Sequence, residues 1–196
     1  MGIVIIKYNA GNVFSVESAI KRLGADVIVT DDKDLIRKAD KVIFPGVGEA
    51  SSTMQHLRKT GFDEFIPNLV QPVLGICLGM QLMCHYSEEG NAECLNIFDV
   101  DVKRFQPQRH EDKVPHMGWN TLADVKSPLF DESIENQYVY FVHSFYVPLN
   151  EGTIATTDYI LPFSAALNKD NFYATQFHPE KSGSVGERIL QNFLKL

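Results

Sequence analysis

The chain has 196 residues, 44% of them hydrophobic, with a formal charge of −7 and an isoelectric point near 5.3. That length suits one well-packed domain and is short for two, so a single domain over residues 1–196 is expected. The acidic balance argues against a nucleic-acid surface, which needs clustered Lys and Arg; the densest basic group, Lys103, Arg104 and Arg109, is sparse and adjoins Glu111 and Asp112.

No stretch approaches the roughly 20 apolar residues of a membrane-spanning helix. Ile3-Val4-Ile5-Ile6 reads as a strand close to the N-terminus, with no signal-peptide layout, so a cytoplasmic location is expected. The three cysteines, Cys77, Cys84 and Cys94, form an odd set without metal-ligand spacing. Neither a disulfide framework nor a metal site is suggested, and no cofactor is implied; Cys84 and Cys94 read as packing residues.

In chain order, Ile3–Lys7 predicts a strand, Val13–Leu23 a helix closing at Gly24, and Val27–Thr30 and Lys41–Phe44 two further strands. Pro72–Ile76 reads as a central strand and Leu78–Tyr86 as the helix after it. Apolar strands between amphipathic helices predict an α/β fold with a mostly parallel central sheet flanked by helices. After Glu93 the pattern turns to strands, at Ile97–Phe105, Val139–His143, Thr153–Thr157 and Phe172–Phe177, which predict antiparallel additions to that sheet. Gln106–Lys113 is polar and aperiodic, hence a loop. Val185, Ile189, Phe193 and Leu196 recur at helical spacing and predict a covering helix over Ser184–Leu196. No internal repeat or linker is visible.

Cys77 sits between Gly75 and Gly79, where the apolar strand gives way to the helical pattern. A sharp strand-to-helix turn presents a nucleophile in a strained backbone conformation, and the flanking residues must be small for the chain to fold back. A helix starting there aims free N–H groups and its positive dipole end at the sulfur. About a hundred residues later the chain reads Gln176-Phe177-His178-Pro179-Glu180. Extended backbone places residues two apart on one face, and Pro179 pushes His178 into that geometry. His178 and Glu180 can then serve as a base and its orienter, completing a nucleophile–base–carboxylate triad.

Gly75-Ile76-Cys77-Leu78-Gly79-Met80-Gln81 together with His178-Pro179-Glu180 resembles the class I (triad) glutamine amidotransferases, without a gap or substitution in either motif. Phe44-Pro45-Gly46-Val47-Gly48 and Val114-Pro115-His116-Met117-Gly118-Trp119-Asn120 resemble the glutaminase subunits of imidazole glycerol phosphate synthases, and the likeness runs from Ile3 to the C-terminal helix. The resemblance implies hydrolysis of L-glutamine to glutamate and ammonia through a γ-glutamyl thioester on Cys77. His178 would move the proton and Glu180 would hold the imidazole. It further implies an oxyanion hole from the N–H groups of Leu78 and Val47, with Gly48 in the same loop, and a substrate site at Gly46, Gln81, Glu89, His143, Ser144 and Phe145. Phe145 stands where the related pattern often carries tyrosine, so no phenolic contact is expected.

The implied partner is a (β/α)8-barrel cyclase subunit that receives the ammonia and makes imidazole glycerol phosphate and AICAR in histidine biosynthesis. Trp119, Tyr138, Tyr140 and Lys181 would face it in a heterodimer. On local grounds Trp119 remains open between a core indole and an interface anchor. His56 and His85, in helix-like segments, and His110, in the loop, read as surface or packing residues. Two alternatives stay open: a glutaminase for a sister barrel synthase with another acceptor, and a stand-alone cysteine hydrolase.

Overall fold

The computed structural model describes residues 2–8 and 13–196. The apolar runs of the first half become strands β1 (Ile3–Ile6), β2 (Val27–Thr30), β3 (Lys41–Gly46) and β4 (Val73–Cys77), all parallel, side by side in the order β2-β1-β3-β4. Every residue of β1 and β4 is buried, because helices cover both faces of the sheet. Between the strands lie α1 (Val13–Arg22), α2 (Lys33–Lys38), α3 (Ala50–Thr60) and the single turn α4 (Phe62–Phe65). Helix α1 buries Val16, Ala19 and Ile20, the i, i+3, i+4 stripe of an amphipathic helix. Helix α2 starts on Asp32, whose carboxylate accepts the amides of Asp34 and Leu35 at 2.8 and 3.2 Å. Helix α3 is capped by the Glu49 carboxylate and stops at Gly61, at φ 67°.

The helix after Cys77 is shorter than its pattern predicts: α5 spans Leu78–Leu82 and does not reach Tyr86. The carbonyls of Leu82, Met83 and Cys84 accept amides from Leu95, Ile97, Phe98 and Asn96, so this backbone is committed to a distant segment and cannot continue the helix. His85 accordingly lies in a bend, with Nδ1 3.1 Å from Asp101 Oδ1. The same bonds trim the strand expected over 97–105 to its second half.

The second half of the chain supplies β5 (Tyr86–Ser87), β6 (Ala92–Glu93), β7 (Asp101–Arg104), β8 (His116–Thr121), β9 (Tyr138–His143), β10 (Phe145–Tyr146), β11 (Thr153–Tyr159), β12 (Leu161–Lys169) and β13 (Phe172–Thr175). β13, expected as an antiparallel addition, instead joins the main sheet parallel to β4, and β12 and β11 continue it antiparallel, giving seven strands in the order β11-β12-β13-β4-β3-β1-β2. Two expected additions lie elsewhere. β7 belongs to a separate small sheet with β5, β6 and β10, and β9 pairs with β8 in a two-stranded ribbon. β8 has no clear strand pattern because Gly118 and Asn120 are poor strand formers, and β12 has none because Pro162 and the Ala165-Ala166 pair weaken its signal. Pairing and burial override those preferences.

Helix α6 (Gly183–Lys195) closes the fold, burying Ile189, Leu190 and Phe193 against the sheet, with Val185 and Leu196 partly covered. Residues 106–113 carry no strand or helix, as their composition predicts. Among the described residues no helix is long and apolar enough to cross a membrane.

Candidate active site

Three parallel strands end together at one edge of the sheet. Gly46 at the end of β3 pairs with Cys77 at the end of β4, and Thr175 at the end of β13 pairs with Ile76. Ligand sites of such sheets lie beyond the carboxyl ends of their strands. Here that edge carries the glycine loop on one side, Cys77 in the middle, and the chain leading to His178 on the other.

Cys77 has φ 54° and ψ −108°, a backbone state that costs a non-glycine residue about 1–3 kcal/mol and that surrounding packing must hold. The glycines make the turn possible. A Cβ on Gly79 would overlap the Phe44 carbonyl oxygen, and one on Gly75 would lie 2.8 Å from Met83 Sδ. The first turn of α5 therefore packs backbone-to-backbone on β3, which seats the thiol at the mouth of the turn.

His178 follows β13 by three residues, and its Nδ1 lies 2.7 Å from Glu180 Oε1, both side chains being buried. The carboxylate can only accept, so Nδ1 carries the proton and Nε2 is the nitrogen left to serve as base. Burial works against an imidazolium here. Hydrogen bonding and charge from Cys77 and Glu180 outweigh it and push His178 up to about 10. Ser182 fixes the turn: its hydroxyl donates to the His178 carbonyl at 2.6 Å and accepts the Tyr140 amide at 3.0 Å.

Cys77, His178, Val47, Gly48, Leu78, Gln81, Glu89, His143, Ser144 and Phe145 line one cavity of about 370 Å³, within the usual range for small-molecule sites. Gly46 lies behind the cavity wall, where an added Cβ would sit 2.8 Å from the Tyr8 hydroxyl. Glu180 stands behind His178. Trp119, Tyr138, Tyr140 and Lys181 lie outside the cavity; Trp119 and Tyr138 are more than half exposed, and Trp119 packs edge-on to Tyr140 at 6.0 Å. Trp119 is thus no core indole.

Several side chains are already engaged. The Gln81 amide donates to the Phe145 carbonyl at 3.1 Å and to Gln176 Oε1 at 3.0 Å. Glu89 accepts the Ala50 amide at 2.9 Å, and burial raises its carboxyl above the ordinary value, an environment that a substrate cation would relieve. Both ring nitrogens of His143 have protein partners, His116 and the Phe145 carbonyl.

Three residues at the site have no role legible in the sequence. Gln176 is buried and points its amide at Cys77 Sγ, 3.8 Å away. Tyr8 hydrogen-bonds the Pro45 carbonyl and so anchors the glycine loop; burial and the nearby Cys77 raise its phenol well above the ordinary value. Pro115 completes the cavity rim. Only their positions in space reveal them, since a lone Gln, Tyr or Pro has no diagnostic spacing. The described residues contain no His, Cys, Asp and Glu group fit to hold a metal.

A thiol on a strained elbow facing a histidine–carboxylate pair is an acyl-transfer arrangement, and the family model for glutamine amidotransferase class-I matches residues 4–196. The chain is 67% identical over 196 residues to the imidazole glycerol phosphate synthase subunit HisH of Bacteroides thetaiotaomicron, with 100% of both chains covered. It is 46% identical over 196 residues to the subunit of the same name from Haemophilus influenzae, covering 100% of this chain and 98% of that one. A crystal structure of a glutamine amidotransferase superposes with a TM-score of 0.76 at 20% identity, over 99% of this chain and 98% of the other, a likeness of fold. The chain belongs to the class I glutamine amidotransferases, in their HisH branch, and is an enzyme.

Proposed function

We propose that the chain, as one amidotransferase domain, hydrolyses L-glutamine to glutamate and ammonia and passes the ammonia to a (β/α)8-barrel cyclase in the histidine-biosynthesis pathway. The observation that carries this reading is the 2.7 Å bond from His178 Nδ1 to Glu180 Oε1, at the same cavity that Cys77 enters from a strained turn.

In the proposed mechanism the Cys77 proton already rests on His178 Nε2, as the raised imidazole favours, and Cys77 Sγ attacks the carboxamide carbon of glutamine as the thiolate. The oxygen of the tetrahedral intermediate is met by the N–H groups of Leu78 and the Val47–Gly48 loop. The intermediate collapses by breaking the C–N bond, His178 returns the proton to the leaving nitrogen, and a γ-glutamyl thioester remains. Water, deprotonated by His178, attacks that thioester, and glutamate leaves as the Cys77 thiolate and the His178 imidazolium are restored. Glu180 stabilises the imidazolium in both halves. The buried Glu89 carboxylate suits the α-ammonium of glutamine, and the Ser144–Phe145 wall the α-carboxylate side.

Ammonia that reaches bulk water is protonated and lost to synthesis, so a synthase requires a sealed docking face. The exposed Trp119, Tyr138 and Met117 on the β8–β9 ribbon, with Lys181 beside the His178 turn, supply apolar and charged area for one.

The test is glutamate release from glutamine by the purified chain, alone and with a barrel cyclase bearing its ribonucleotide ligand. Strong stimulation by the liganded partner, abolished in Cys77→Ser, supports the reading. Equal rates with and without partner would leave the glutaminase chemistry and remove the partner assignment. Activity on peptides or esters in place of glutamine would favour the stand-alone hydrolase.

A further inference from the structure

His116 and His143 form a buried imidazole pair, His116 Nδ1 to His143 Nε2 at 2.9 Å, beside the cavity but outside the proposed triad. Proton positions along it follow from the end groups. The Phe145 carbonyl can only accept, so His143 Nδ1 donates to it, at 2.7 Å. At the other end the Asn120 side-chain oxygen accepts the Thr121 amide at 2.8 Å, which makes its nitrogen the donor, to the Asp158 carbonyl at 3.1 Å and to His116 Nε2 at 3.4 Å. His116 Nε2 is therefore an acceptor and its Nδ1–H the donor to His143. Both ends dictate the same direction, Asn120 to His116 to His143 to Phe145. Burial lowers both imidazoles, His116 to about 4 and His143 to about 3, in keeping with two neutral rings.

His116 is held flat between Tyr159 and Phe141, ring centroids at 3.9 and 4.8 Å, so its donor has one direction to point. The Phe145 carbonyl that ends the chain also accepts the Gln81 amide, and Gln81 leads on through Gln176 to Cys77 Sγ. We infer that His116 is a positioning residue for glutamine: acting through His143, it sets the Ser144–Phe145 wall against which the substrate lies. His116 sits on the inner side of β8, whose outward side chains Met117 and Trp119 are exposed, so the same strand that shows an apolar face to a partner holds the cavity wall from within. This inference rests on the glutaminase reading above.

The test compares three variants of the full chain, assayed with its cyclase partner. His116→Phe keeps a ring in the stack and removes the donor; His116→Asn returns an amide near the Nδ1 position; His116→Gln places it nearer Nε2. The expected result is a KM for glutamine raised about tenfold in His116→Phe and His116→Gln, the scale of one lost hydrogen bond, with kcat little changed and KM largely restored in His116→Asn. Alkylation of Cys77 by iodoacetamide should proceed at the parental rate in all three. Unchanged KM in folded His116→Phe, equal defects in the Asn and Gln variants, or a matching loss of alkylation rate would each overturn the inference. If the Phe variant does not fold, the Asn and Gln pair decides alone. A parent chain that releases no glutamate would instead bring down the functional reading, and the inference with it.

Discussion

The His178 amide donates to the Tyr140 carbonyl at 2.9 Å, so the proposed base hangs from strand β9. Ser182 closes the ring from the other side, between the Tyr140 amide and the His178 carbonyl. Tyr140 also packs against the exposed Trp119. The backbone that sets the imidazole is therefore the backbone of the outward-facing ribbon, and a displacement of the ribbon would reach His178 without passing through the core.

Replacing Ser182 by Ala leaves the Tyr140 amide and the His178 carbonyl without that partner. A buried group stripped of its bond costs about 1–3 kcal/mol, and a base out of line with Cys77 slows chemistry more than binding. We expect a lower melting temperature and a kcat down roughly tenfold or more, at that energy scale, with KM close to parental. Steady-state kinetics and calorimetry on the purified variant read both; an unchanged kcat would dismiss the ring as packing alone.

Glu180→Gln keeps the shape beside His178 and removes the charge. Misdirected or unsupported imidazoles in triads lose about 10⁴-fold in kcat, and a drop of two to four orders of magnitude is expected here. Recovery of most activity would show that Glu180 only fills space.

The raised His178 also predicts how stability follows pH. The folded state holds the proton more tightly than the unfolded chain, so this stabilisation is complete below about 6.5 and drains away as pH climbs through about 10. Urea unfolding from pH 6 to 10.5 should show stability falling across that window, with a shallower fall in Glu180→Gln. Identical slopes for parent and variant would contradict the coupling.

Gln176→Leu removes the amide that points at Cys77 Sγ and the oxygen that receives Gln81. The shape is nearly conserved, so the expected effect is on reactivity: iodoacetamide should alkylate Cys77 several-fold more slowly at neutral pH, on the scale of one weak hydrogen bond to sulfur, about 1 kcal/mol. A mass-spectrometric time course gives the rate, and parental kinetics would rule the contact out as functional.

Gly79→Ala drives a methyl into the Phe44 carbonyl oxygen, a backbone atom that cannot step aside. Overpacking of this kind costs about 1–3 kcal/mol or more. The variant should melt several degrees lower and lose activity, because the turn that presents Cys77 must open. Gly24→Ala meets no atom within 4 Å, yet its φ of 78° strains any side chain, so a smaller fall there separates strain from collision.

Much of this was legible in the residues themselves. Periodicity located β1 to β4, α1 and α6, since strands buried on both faces must be apolar runs and a covering helix must repeat its apolar side every three to four residues. The glycines around Cys77 mark the turn, and His178 with Glu180 two residues on marks the hydrogen-bonded pair proposed as base and carboxylate, because each pattern is local in the chain. What failed was whatever depends on a distant segment. α5 ends at Leu82 because carbonyls there receive amides from residues 95–98, and β8 exists because it pairs with β9 despite Gly118 and Asn120.

The sequence by itself determined the class of fold, the strained turn at Cys77 and the His178–Glu180 pair. The tertiary structure decided which side chains meet: Tyr8 on the Pro45 carbonyl, Gln176 at the sulfur, Ser182 across to Tyr140, and His116 in line with His143. Local backbone preference acts over a few residues and can be read along the chain. A hydrogen bond between residues tens of positions apart is fixed only when the sheet brings their strands into register, and that is where this site acquires the second layer that holds its first in place.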